Sequence, residues 1–155
     1  MNREQLTQEA IELLKKLIAT QSFSSEEEGT AALIEAWFKA HHIPFKRQAN
    51  NIWATNKNFE EGKTTLLLNS HHDTVQPNNG YTRDPYSPDV EDGKLYGLGS
   101  NDAGGCLVSL IATFTYFYAQ ENPKYNLVIV ASGEEESSGP NGMNSMLKVI
   151  PPVDV

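Results

Sequence analysis

Two uninterrupted apolar runs, Leu66-Leu67-Leu68 and Leu127-Val128-Ile129-Val130-Ala131, constrain this chain more than any other feature. A strand with one wet face alternates apolar and polar residues; a run without alternation needs cover on both faces, as in a parallel or mixed sheet lined by helices. Helical periodicity supplies the cover. Leu6, Ala10, Leu13, Leu14, Leu17 and Ile18 recur at spacings that predict an amphipathic helix over residues 4–20. Ser24 and Ser25 ahead of Glu26-Glu27-Glu28 provide an N-cap and an acidic first turn for a second helix. That helix runs to His41 and buries Ala32, Leu33, Ala36 and Trp37, and its three glutamates are a solvated start without chemistry. His41 and His42 close it at the negative end of its dipole.

Strands are expected over 43–48 and 51–55, about a tight turn at Asn50-Asn51, and over 64–69. Residues 76–93, rich in Pro, Asn, Gly and Asp, form a surface loop, and 94–97 a short strand. Residues 103–120 are apolar nearly all round, as in a well-buried helix, and 140–149 make a short final one. Strands interleaved with helices predict an α/β sandwich around a parallel or mixed sheet.

The formal net charge of −8 over 155 residues argues against nucleic acid or an anionic membrane surface as partner, because both select clustered Lys and Arg. One cysteine, Cys106, allows no internal disulfide and reads as a small buried side chain. With a charged, periodic N-terminal segment and no apolar run that spans a bilayer, the chain is expected to be cytoplasmic.

Three polar clusters punctuate this frame. Ser70-His71-His72-Asp73-Thr74-Val75 follows the first apolar strand. On an extended chain His71 and Asp73 project to one side, so one can ligate a metal while the other orients it. Gly97-Leu98-Gly99-Ser100-Asn101-Asp102-Ala103-Gly104-Gly105 precedes the buried helix. Asp102 is either that helix's N-cap or a carboxylate shared by two cations. Ser132-Gly133-Glu134-Glu135-Glu136 follows the second apolar strand, where three adjacent acids repel one another unless a cation or open water relieves them. Two of the clusters stand where open α/β sheets bind ligands, beyond strand carboxyl ends. Histidine plus carboxylates is a plausible zinc shell for hydrolysis, and a spare glutamate is a candidate general base.

These three motifs, in this order and at this spacing, resemble the zinc aminoacylase and carboxypeptidase (M20-type) family, which includes acetylornithine deacetylase and succinyl-diaminopimelate desuccinylase. The wording LLLNSHHDTVQP, NGYTRDPYSP and LYGLGSNDAGG is most similar to the acetylornithine deacetylase branch. Leu98 and Gly104 stand where the family often has arginine and lysine. The resemblance implies a three-layer αβα sandwich of the zinc-peptidase type and a hydrolase that cleaves the amide of an N-acyl amino acid in arginine biosynthesis. A dipeptidase or aminopeptidase, or a non-catalytic fragment, is the alternative. It implies two Zn2+ per complete site, with Co2+ or Mn2+ also accepted, and His71, Asp102 and Glu135 as ligands, Asp102 bridging. Asp73 orients His71, and Glu134 is the general base. Glu135 and Glu136 form the competing register for base and ligand. Residues 1–155 then correspond to the N-terminal portion of the catalytic domain, without the dimerisation domain or the C-terminal half, and the full-length protein is expected to be a homodimer.

Overall fold

The computed structural model describes residues 2–155. In chain order its elements are α1 (Arg3–Ile18), α2 (Glu28–Ala40), β1 (Lys46–Gln48), β2 (Asn51–Thr55), β3 (Thr65–His71), β4 (Val90–Glu91) and β5 (Lys94–Leu95). After a wide turn at Ser100–Gly104 come α3 (Gly105–Phe117), β6 (Asn126–Ser132) and the one-turn α4 (Met143–Met146). The main sheet has the order β1-β2-β6-β3, with β6 parallel to β3 and antiparallel to β2. The fold is therefore α/β with a mixed sheet, as the apolar runs require.

The Leu127–Ala131 run builds the central strand, and the period-2 alternation of a strand divides it between two cores. Ile129 and Ala131 join Ile52 and Ala54 beneath α1, α2 and α3. Val128 and Val130 face the other way, against Trp53, Met146 and Ile150. Cover is thick on the first face and thin on the second, where the only helix among the described residues is α4. Leu66, Leu67 and Leu68 are half-buried instead of sealed on both faces, because β3 lies at the edge of the sheet. Residues 153–155 begin to run along that edge, with the Leu67 N–H donating to the Val155 carbonyl at 2.8 Å.

Two helices differ from expectation in the face they bury. In α2 the sealed residues are Thr30, Ala31, Ile34, Trp37 and Phe38, while Ala32 and Ala36 face water and Leu33 is half-buried. The short alanines carry too little apolar area to hold the core side against Ile34 and Phe38. α3 buries Leu107, Val108, Ile111, Phe114 and Thr115 on one side only. Cys106 falls on the opposite side and is exposed, not buried. The β1–β2 turn is at Ala49-Asn50, one residue earlier than expected, and Ala49 takes the left-handed φ of 50° that the turn demands.

Candidate metal centre

His71 ends β3, Ser132 ends β6, and the two are register partners. Parallel neighbours that end together deliver the residues following them to a common rim. The Ser100–Gly104 turn reaches the same rim. Asp102 departs from helical geometry there (φ −114°, ψ 102°), its peptide to Ala103 is cis, and its Oδ1 lies 3.1 Å from His71 Nε2. Asp102 does not cap α3, whose N-cap position is Gly104.

The imidazole of His71 is held from behind. Its Nδ1–H donates to the Asp73 carbonyl oxygen at 3.0 Å and lies 3.4 Å from Asp73 Oδ1, which directs Nε2 at Asp102. Asp73 is buried, and its carboxylate accepts from the Glu135 N–H, the Glu136 N–H and the Ser24 hydroxyl. Burial opposes its charge, yet those bonds, His71's foremost, hold its carboxyl well below the usual range.

Of the three glutamates, Glu136 contributes the atom that converges. One ligand atom each from His71, Asp102 and Glu136 lies within 4.8 Å of the other two. Glu135 is close by, its Oε2 3.8 Å from His71 Nε2 and its side chain 60% exposed. Glu134 is turned away. Its φ of 57° bends the chain, and its carboxylate accepts from the Asn141 N–H and the Asn141 side-chain amide, both at 2.9 Å, and from the Ser25 hydroxyl at 3.2 Å. The structure thus brings together His71, Asp102, Glu135 and Glu136, and leaves Glu134 in a buried knot.

The charges at the rim suit a cation. Among the described residues no lysine or arginine pairs with Asp102, Glu135 or Glu136. The His71 pKa is raised to about 9, first by the Asp73 hydrogen bond, against burial, with Asp102 adding to it. Burial, then the neighbouring Asp102 and Glu135 charges, push the Glu136 carboxyl upward, with His71 opposing. A divalent cation held by these side chains would offset the carboxylate charges, and a ligating His71 would do so in its neutral form. One nitrogen with carboxylate oxygens, and an imidazole fixed through its other nitrogen, matches the chemistry of zinc and of cobalt or manganese.

Sequence reasoning missed the supports from the segment before α2. Ser24 and Ser25 do not cap that helix, whose N-cap position is Glu27; their hydroxyls go to Asp73 and Glu134. Glu27, read as solvated, is fully buried, and its carboxylate accepts from the Ser25 and Glu134 N–H groups and the Asn50 side chain. A Ser-Ser-Glu-Glu-Glu string has the same local signature whether it starts a helix or packs beneath a site. Asn50 and Asn51, read only as a turn, also reach this region.

The fold and this rim together define a mixed-sheet α/β unit with a candidate divalent-cation centre. The chain belongs to Peptidase family M20/M25/M40, whose sequence profile matches residues 67–154. It is 32% identical over 148 residues to the succinyl-diaminopimelate desuccinylase of Wigglesworthia glossinidia brevipalpis, covering 90% of this chain and 38% of that protein. It is 34% identical over 143 residues to the acetylornithine deacetylase of Shigella sonnei, covering 83% of this chain and 36% of that one. The chain therefore spans only 36–38% of these two curated relatives. Among solved structures, the di-peptidase Dug1p of Saccharomyces cerevisiae superposes with a TM-score of 0.72 at 23% identity, covering 94% of this chain and 36% of that one. A dinuclear metal-binding M20 peptidase of Bacillus subtilis gives 0.69 at 17% identity, covering 94% and 40%. At such identities the two superpositions speak to fold alone. No helix among the described residues is long and apolar enough to cross a membrane.

Proposed function

We propose that this chain is the N-terminal part of the catalytic domain of a metal-dependent amidohydrolase that cleaves an N-acyl amino acid, with His71, Asp102 and Glu136 as cation ligands. The observation that carries the reading is the convergence of those three side chains at the common end of two parallel strands. The family and the two relatives above 30% identity, a desuccinylase and a deacetylase, support an acyl amide as substrate. The motif wording favours an N-acetylated diamino acid, as in acetylornithine. Zinc is the expected ion, two per complete site, and the intact protein is expected to be a homodimer.

A bound divalent cation supplies Lewis acidity and an acidified water. The residues of this chain do the rest. Asp73 keeps the His71 ring in one orientation, with Nε2 toward the cation position. Glu135, half-free in solvent beside His71, is the general base: it takes a proton from the attacking water and returns it to the departing amine. This exchanges the register expected from the motif alone, with Glu134 as base and Glu135 as ligand, for its competitor. Support comes from Glu134, whose carboxylate already accepts from Asn141 and Ser25 and is buried.

The test is turnover by the intact enzyme of N-acetylornithine, N-succinyl-diaminopimelate and a panel of dipeptides. The acyl substrates should be hydrolysed, activity should vanish on chelation, and zinc should restore it. Turnover that persists after all metal is stripped would sink the reading; exclusive turnover of dipeptides would move the substrate class.

A further inference from the structure

The turn that presents Glu135 and Glu136 has an unusual construction. Four successive backbone N–H groups, of Gly133, Glu134, Glu135 and Glu136, are each taken by a side-chain acceptor: Asn51 Oδ1, Glu27 Oε1, Asp73 Oδ1 and Asp73 Oδ2. Asp73 lies directly behind His71. Glu27 does not touch the rim, yet it is fully buried, and no lysine, arginine or histidine pairs with it among the described residues. A buried carboxylate is costly unless it is hydrogen-bonded. Here Oε1 takes the Glu134 N–H at 2.9 Å and the Ser25 N–H at 2.8 Å, while Oε2 takes the Asn50 amide at 2.7 Å.

The close fit around Glu27 excludes alternatives. A Cβ at Gly133 would lie 3.0 Å from Glu27 Oε1 and 3.1 Å from its carboxyl carbon, so only glycine lets the carboxylate reach the turn without displacement. Gly139 plays the same part for Glu134, whose Oε2 would be 2.1 Å from an added Cβ. Glu27 and Glu134 thus stack as successive acceptors: the first holds the turn's backbone, and the second, through Asn141, holds the chain that leaves it.

Resting on the metal-site reading above, we propose that Glu27 is a positioning residue for the cation centre. By fixing the Glu134 N–H it sets the bend from which Glu135 and Glu136 reach His71 and Asp102, and it acts on metal affinity through that bend.

The experiment uses the intact protein, metal-free, titrated with cobalt(II) alone and followed by calorimetry and visible absorption. Amide hydrogen exchange is read in parallel. Glu27→Ala should lower cobalt affinity by about 10- to 100-fold, the range found when groups behind metal ligands are removed. It should also speed exchange at residues 133–136 while the β6 amides stay protected. Glu27→Gln should fall between Glu27→Ala and the native protein, because one oxygen still accepts from Glu134 while its NH2 meets the Asn50 donor. Ile111→Val, a core change remote from the turn, should lose stability and keep native cobalt affinity. Should Glu27→Ala not fold, Glu27→Gln and Gly133→Ala decide, each expected to weaken cobalt several-fold. Native cobalt affinity in the folded Glu27 and Gly133 variants overturns the positioning role, however far their melting temperatures fall, and leaves the metal site standing. No cobalt uptake by the native protein overturns both.

Discussion

Glu134 and Glu136 are two residues apart at the end of β6, and they occupy opposite surroundings. Glu134 is 6% exposed and saturated by Asn141 and Ser25, which, with the Asn141 amide bonds as the main cause and burial opposing, hold its carboxyl below the ordinary range. Glu136 faces His71 and a group of like charges, and its carboxyl is pushed up, first by the burial it has and then by Asp102 and Glu135, with His71 opposing. The neighbouring histidines divide in the same way. His71 is raised to about 9 on the acidic rim, whereas His72 is lowered to about 4, mainly by burial, between the Thr30 hydroxyl and the Asn50 carbonyl. One layer is satisfied by the protein itself; the layer above it carries a surplus of negative charge that only something external can satisfy. The difference teaches that residue type at this rim says little, and that partners supplied from distant elements set each side chain's surroundings.

The strongest way to break this contrast is kinetic. Glu135→Ala in the intact enzyme should lower kcat by about 10²- to 10⁴-fold, the contribution of a general base, with metal content unchanged. If Glu134→Ala loses turnover to that extent while keeping native stability and metal, the two layers have been assigned the wrong way round.

A pH titration sharpens the comparison next. An unfolded histidine takes its proton near pH 6.5, whereas folded His72 resists until about pH 4. Between those values the unfolded chain binds the extra proton, so the stability contributed by neutral His72 is complete above pH 6.5 and drains away as pH falls toward 4. The loss should be about 2 kcal/mol between pH 7 and 4.5, and urea unfolding across that range measures it. A flat profile would place His72 in contact with water.

Glu134→Ala strands the Asn141 N–H and amide and should cost about 1–3 kcal/mol in the same assay. The matching change in the rim, Glu136→Ala, should cost the metal-free protein nothing or stabilise it slightly, since it removes a repelled charge. Smallest of all, Ser24→Ala deletes one of the donors to Asp73 and should cost about 1 kcal/mol, seen as a shift in thermal midpoint.

Much of the frame was legible in the sequence because its causes are local. Apolar runs mark β3 and β6, and periodicity marks α1 within two residues of its observed ends. His71 and Asp102 were singled out through the order and spacing of the three motifs, since His72 beside His71 and the helix start beside Asp102 leave each ambiguous when read alone. Which glutamate faces the rim could not be read so. Three identical residues in a row carry no local difference, and their separate surroundings come from Glu27, 107 positions from Glu134, and from Asn141, 7 positions on. The α2 face was misjudged for a related reason: Ala32 and Ala36 fit an apolar stripe by type, but the stripe that packs is the one whose bulk, in Ile34 and Phe38, fills the space over the sheet.

The side-chain clasp over residues 133–136 has a consequence for how the protein reaches its native state. Its acceptors come from β2, from the lead into α2 and from the segment after β3, each separated from the clasped turn by 62 to 107 positions. No local segment can preform it, so the acids acquire their arrangement only once these pieces have docked, among the last events expected for contacts of such long sequence separation. If the rim holds a cation as proposed, its capture would work as a proofreader of assembly: a loosely collapsed chain, with helices present and docking incomplete, would gain little from the ion, while the finished one would be locked by it.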